Sequence, residues 1–298
     1  MTNLDTASNA SSQSVFAALK QGISAACRQW WMSLLLWATT LVLALLAAIP
    51  VRSLLAAEAG KSLMIKDLVK GFDYTFLNDF MQNYGSGFTP MLNQSLLLLA
   101  VQYLLLVFFV GGIVKVLWEQ PSQDQRPMFW SSSARYFWRM LRLSLFFLVV
   151  HLLVLVIFGL LYMQVTKGLS PKALDSEGII TSSLRWLVPL YVLVAAVPMM
   201  WQDYAKVYLV KNDHRFIWSP IGEAGRFLIR RFPKAYPLYL LNIGILLLLF
   251  AVNYFLTGLF EISSLSTIIG AFILSQLFVF ARYGLKIVNQ GSIVGLLR

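Results

Sequence analysis

Six stretches of this chain are each long and apolar enough to cross a bilayer, and no water-soluble core of this size can hide them all. They run over about 31–50, 94–115, 141–163, 185–204, 236–259 and 262–283. About 20 apolar residues in a helix cover the hydrocarbon layer. In that layer a helix satisfies every backbone group within itself. The composition agrees: 58% hydrophobic and 12% charged residues, against about 25% charged in a soluble domain. The fold class read from this is all-α, a polytopic membrane protein with six transmembrane helices. The fourth run is the weakest, because its apolar core, Trp186 to Trp201, is short and holds Pro189 and Pro198. Only Phe260 and Glu261 separate the fifth from the sixth, which predicts a tight hairpin.

Six crossings put both termini on one side, and the cations choose which. Of the 24 Lys and Arg, the far side holds only Arg52, Lys61, Lys66, Lys70, Lys167, Lys172 and Arg185. The 13 acidic residues divide almost evenly, so the whole net charge of +11 sits on the side of the termini. By the positive-inside rule that side is cytoplasmic, and the expected location is the cytoplasmic (inner) membrane. The basic charge is then read as orientation plus attraction to anionic lipid headgroups, with no nucleic-acid partner. A lone Cys27 offers neither a disulfide nor a metal cluster, so no metal or cofactor is expected. The polar start "MTNLDTASNASSQS", residues 1–14, reads as a disordered tail ahead of a single membrane domain, 15–298. The first apolar run follows Lys20 and Arg28 and lacks a small-residue cleavage site, so it is expected to stay in the membrane.

Charge is concentrated again in "GRFLIRRFPKAYP", residues 225–237. At 100° per residue Ile221, Ala224, Leu228, Ile229 and Phe232 share one face, and Glu223, Arg226, Arg230 and Lys234 the opposite one. That is a basic amphipathic helix suited to lying in the membrane interface, with Ser219 as its N-cap and Pro220 in its first turn. "ARYFWRML" (134–141) repeats the pattern of "GRFLIRRF" (225–232), each with a proline upstream, Pro127 and Pro220. Arg135, Arg139, Arg226, Arg230, Arg231 and Lys234 are therefore the expected anionic-lipid interface. "VFAALKQGISAACRQW" is a weaker third copy, with Phe16, Leu19, Ile23 and Ala26 along one face. The return spans close alike, in "GGIVKVLW", "QDYAKVYL" and "RYGLKIVN", aligned on Lys115, Lys206 and Lys286. The chain thus reads as three consecutive hairpins, each entered through an interfacial amphipathic helix.

This plan, with its "DYAKVYLV" exit and the interfacial helix after it, resembles a broad group of bacterial six-helix integral membrane proteins. That group is similar to the membrane domain attached to some glycerophosphodiester phosphodiesterases. The resemblance covers most of the chain and implies a bacterial inner-membrane fold. It supplies no catalytic residues, and no soluble phosphodiesterase domain is recognised here, so that activity does not follow from it.

Few polar residues fall inside the spans: His151 in the third, Gln102 in the second, Asn242 and Asn253 in the fifth, Gln276 in the sixth. These five form the candidate intramembrane polar site. His151 is expected to be neutral and hydrogen-bonded across helices, or else to bind a proton or substrate. No acidic residue is expected at membrane depth, and His214 is read as solvated. Asn242 and Asn253 lie three turns apart and face the bundle. On the sixth span Ser263, Thr267, Ala271 and Ser275 recur every four residues, a small-residue stripe for helix packing. The external segment 51–92 carries Phe72, Phe76, Leu77, Phe80 and Tyr84 at helical spacing and then meets Gly85 and Gly87. One or two short helices broken at those glycines are expected, capping the bundle or docking a partner. No G-x-S-x-G, H-E-x-x-H, paired Cys or Walker loop is present. An accessory, assembly or scaffolding role with an envelope protein partner is therefore expected, with no catalytic residues; the alternative is a small-solute or lipid carrier.

The sidedness is open to a direct check. A compartment-sensitive reporter fused after Arg298 is expected to respond from the cytosol, and one inserted at Gly85 from the opposite side.

Overall fold

A run of Leu, Val and Phe leaves the backbone nothing to bond but itself, and helix follows. The computed structural model describes residues 14–59, 74–121, 124–165, 177–259 and 265–298. Among them lie seven helices and no strand: α1 (Val15–Arg28), α2 (Trp30–Ala59), α3 (Tyr74–Glu119), α4 (Arg126–Val165), α5 (Glu177–Lys211), α6 (Trp218–Gly258) and α7 (Leu265–Leu297). Helices α2 to α7 each contain a stretch long and apolar enough to span a membrane, and together these hold the cores of all six expected spans.

Several local expectations change. Helix α3 runs without a break through Gly85 and Gly87. A glycine inside a helix costs only about 1 kcal/mol, too little to end one that continues into an apolar span. The expected external helices therefore merge in part with the second span. Residues 60–73, with Phe72, lie outside the described residues, as do the tail 1–13 and the turn 260–264 with Ser263. Helix α6 begins at Trp218, so Ser219 sits inside its first turn, where its hydroxyl donates to Glu223 Oε1 at 3.1 Å in place of the expected cap. The helix then kinks at Arg231 (φ −121°, ψ 24°), ahead of Pro233 and Pro237. Pro189 and Pro198, by contrast, sit within an unbroken α5. A turn before Pro198 the Leu193 carbonyl accepts the Tyr236 hydroxyl at 3.0 Å, a neighbouring segment meeting a carbonyl near the proline. Helices α3 and α5 end in left-handed residues, Gln120 (φ 47°) and Asp213 (φ 48°).

Two compact units divide the chain. The first comprises Met1–Cys27, Val107–Gly244 and Ile287–Arg298, and the second Arg28–Leu106 and Ile245–Lys286. In the first, α4 and α5 run antiparallel: Phe158 meets Tyr191, Phe147 meets Trp201 and Arg139 meets Asp213. Small residues then let three amphipathic segments seat closely. Ala18, Gly22 and Ala25 of α1 are buried against Val288, Gly291 and Ser292 of α7. Gly111 and Gly112 of α3 receive Phe129, Ser133 and Tyr136 of α4. On α6, Ile221, Ala224 and Leu228 are buried, and the Trp201 indole of α5 lies against Gly225 and donates to the Ile221 carbonyl at 2.9 Å. Each segment leaves a second apolar face open: Phe16 is 75% exposed, Trp138 65% and Ile229 82%. In the second unit Phe250 packs on Phe278, while Leu96, Leu97, Leu99 and Phe272 point outward.

A Cβ on Gly112 would collide with the Phe129 carbonyl and ring, whereas one on Gly222 would meet nothing within 4 Å. Gly112→Ala is expected to destabilise the protein by about 1–3 kcal/mol, and Gly222→Ala to leave stability unchanged or slightly higher. Thermal unfolding of both variants in detergent micelles checks the pair.

Candidate functional site

Polar side chains inside an apolar helix have no water to turn to, so each must find a partner in the protein. Within the first unit the partners form a chain across three helices. Lys206 Nζ donates to Asp203 Oδ1 at 2.8 Å, with the two side chains only 12% and 15% exposed. Asn289 Nδ2 donates to Asp203 Oδ2 at 2.8 Å, and Asn242 Nδ2 reaches Asn289 Oδ1 at 3.5 Å while donating to the Leu238 carbonyl at 3.0 Å. Asp203 falls in the C-terminal part of the apolar helix Leu184–Lys211 and is largely covered. Its i, i+3 lysine explains how such a helix holds it, since the pair carries no net charge.

His151 also belongs to this unit, but its bond is local. Nδ1 sits 2.5 Å from the Phe147 carbonyl of its own helix, one turn back, so the bond does not cross helices as expected. Nε2 is buried with no partner among the described residues.

In the second unit Gln102 joins α3 to α2 and α7. Its Nε2 donates to Thr40 Oγ1 at 2.8 Å and to the Tyr283 hydroxyl at 3.3 Å, and those two hydroxyls are themselves 2.5 Å apart. Gln276 Oε1 accepts the Trp37 indole N–H at 3.1 Å. Asn253 is half-buried, with Oδ1 covered and unmatched among the described residues. Of the small-residue stripe, Thr267, Ala271 and Ser275 lie on the less exposed side of α7, with Ser275 bonding back to the Ala271 carbonyl. Four of the five sequence-predicted polar residues, Gln102, His151, Asn242 and Asn253, each keep one buried polar atom unmatched among the described residues.

The basic residues of the amphipathic segments divide into two groups. Arg135 and Arg139, one turn apart on α4, clamp a single carboxylate: Nη2 of Arg135 lies 2.6 Å from Asp213 Oδ2 and Nη1 of Arg139 2.7 Å from Asp213 Oδ1. Arg139 also donates to the His214 carbonyl at 3.2 Å, tying down the loop after α5. Burial pushes the Asp213 carboxyl upward, but the Arg139 hydrogen bond, the Arg135 charge and a Tyr136 hydrogen bond outweigh it and hold the group below its ordinary value. Arg226 and Arg230 repeat the spacing on α6 and make no ion pair among the described residues. Arg231 leans on the Phe227 ring at 5.9 Å, and Lys234 is half-buried. His214 stays partly exposed, and its Nε2 lies 2.9 Å from Glu223 Oε1. Ser219 approaches that same nitrogen at 3.4 Å. Glutamate and hydroxyl on one ring nitrogen do not make a relay, which needs the carboxylate on the opposite nitrogen.

Sequence reasoning missed the partners more than the residues. Thr40, Trp37 and Tyr283 looked like ordinary span composition, whereas Asp203, three before Lys206, was legible from spacing alone. No characterised protein family, curated protein or solved structure matches the chain.

The depressed Asp213 carboxyl has a sign. Its stabilisation is complete above the ordinary carboxyl value of 3.8 and is lost as pH falls through the lower folded value. Asp213→Asn is expected to lower stability at pH 7 by no more than about 1 kcal/mol for so exposed a pair, seen as a slightly lower unfolding midpoint. That gap should close below pH 3.8, as a pH series of melting curves for the two proteins would show.

Proposed function

We propose that this is a non-enzymatic integral membrane protein that assembles or scaffolds other envelope components, placed in the cytoplasmic membrane with both termini in the cytosol. The observation that carries the reading is the double face of each amphipathic segment. Small side chains seat it on a helix end, while Phe16, Trp138 and Ile229 stay uncovered for the bilayer or a partner. The seating order also supports three repeated hairpins, because each segment rests on the return helix of the preceding copy and α1 rests on the last. The kink at Arg231 separates an interfacial part of α6 from a spanning part. The resemblance to the membrane domain of some glycerophosphodiester phosphodiesterases fits the same plan.

A second reading, a small-solute or lipid carrier, is favoured by one specific observation. Gln102, His151, Asn242 and Asn253 keep buried atoms without partners, and a polar ligand or water would match them. Against it, the clefts around Trp201 and around Leu45 are lined by none of these residues.

Purification from native membranes in mild detergent distinguishes the two. A partner recovered in constant stoichiometry, and retained by a His151→Ala, Gln102→Ala double variant that elutes as a folded protein, is the expected result. Solute flux in proteoliposomes of the purified protein alone, abolished in that variant, would reverse the order.

A further inference from the structure

The chain shows what a pair of arginines four residues apart on these segments can do. Arg135 and Arg139 hold both oxygens of one carboxylate, at 2.6 and 2.7 Å. Arg226 and Arg230 stand at the matching positions of the second "R-aromatic-x-x-R" copy, are exposed, and have no acidic partner among the described residues. The nearest acidic residue in sequence, Glu223, is already engaged by Asn212, Ser219 and His214. Beside this free pair lies an apolar cleft of about 430 Å³, lined by Val197, Met200, Trp201, Leu228, Ile229 and Phe232, with Gly225 leaving its floor open. Ile229 lies at the edge of the apolar face, about 60° around the helix from Arg226 and about 100° from Arg230, so both cations stand outside the cleft on the side of its Ile229 wall.

We propose that this cleft is a seat for one anionic phospholipid, with an acyl chain against Trp201 and Ile229 and the headgroup phosphate between Arg226 and Arg230. The occupant must be amphiphilic, since the cleft offers a chain almost no polar contact and the arginines offer a phosphate two guanidinium groups. A free phosphate would leave the apolar wall unused, and a neutral lipid would leave both cations unmatched. Phe232, one wall of the cleft, is 40% exposed. The inference rests on the chain being a membrane protein, and not on a scaffolding role, so a protein that recruits no partner could still hold the lipid.

Native mass spectrometry of the full chain in detergent, titrated with phosphatidylglycerol or with phosphatidylcholine of the same acyl chains, tests it. The wild type is expected to retain the anionic lipid, and Arg226→Gln, Arg230→Gln to weaken retention about tenfold. Arg126→Gln, Arg142→Gln removes the same charge from two other exposed arginines and should change it less than about twofold. Ile229→Ser shortens the cleft wall without touching a cation, and is expected to weaken both lipids by about threefold. All substituted side chains are exposed, and unchanged elution in size exclusion confirms folding. Equal retention of the two lipids by the wild type would overturn the proposal. So would equal loss in the two double variants, or displacement of the anionic lipid by inorganic phosphate alone.

Discussion

Hydrocarbon offers no hydrogen bond, and most of what this protein does with its polar atoms follows from that. A soluble helix can leave an asparagine to water; α6 cannot, so Asn242 bonds back to the Leu238 carbonyl and forward toward Asn289. The same need binds Asn289 to Asp203, and Asp203 to Lys206. Separating either charge from the other would strand an ion in a poorly solvated place, at a cost of several kcal/mol. Together they travel as a neutral pair. Apolar packing adds little specificity here, because lipid tails are as apolar as leucine. Register between helices is set by such polar ties and by close approach of small residues.

The close approaches explain how amphipathic segments can be fixed yet still leave an apolar face uncovered. A helix resting on lipid alone could slide or rotate. Gly22 and Gly112 remove that freedom by admitting Ser292 and Phe129 to distances no larger residue would allow, and Trp201 is fixed on α6 by its bond to the Ile221 carbonyl. Once those contacts form, the remaining apolar side chains have a set direction. Trp138 and Ile229, at matching positions of the two arginine-bearing copies, are both uncovered. One helix thus carries a packing face and a solvent or lipid face at different angles, which a single hydrophobic stripe does not reveal.

That difference marks how far the sequence was legible. The six spans were, because length and hydropathy are local properties that the surroundings rarely override. So were the polar residues inside them, by their rarity. Their partners were not: nothing in the composition of α2 singles out Thr40 or Trp37 until Gln102 and Gln276 are brought against them. Spacing puts Phe16, Leu19, Ile23 and Ala26 along one face of α1, yet Ala18, Gly22 and Ala25 make the contact. Size decides there, since close helix approach rewards the smallest side chains and not the most hydrophobic. Gly85 and Gly87 misled for a related reason. Their helix penalty is real but small beside the continuity of a long apolar helix.

The two arginine pairs show how one sequence pattern takes on different duties through a single neighbouring residue. Asp213 terminates α5 in a left-handed turn, and that turn places its carboxylate before Arg135 and Arg139. The pair becomes a latch on the α5–α6 loop, and its two positive charges are partly cancelled within the chain. Arg226 and Arg230 meet no such carboxylate among the described residues and stay exposed. The basic excess of this chain is therefore unevenly available: some of it is structural, and the rest is addressed to whatever anion lies outside. An anion held in a bilayer beside an apolar cleft is presented at fixed depth and high local concentration, so even two exposed guanidinium groups, weak against a dissolved ion, can select it.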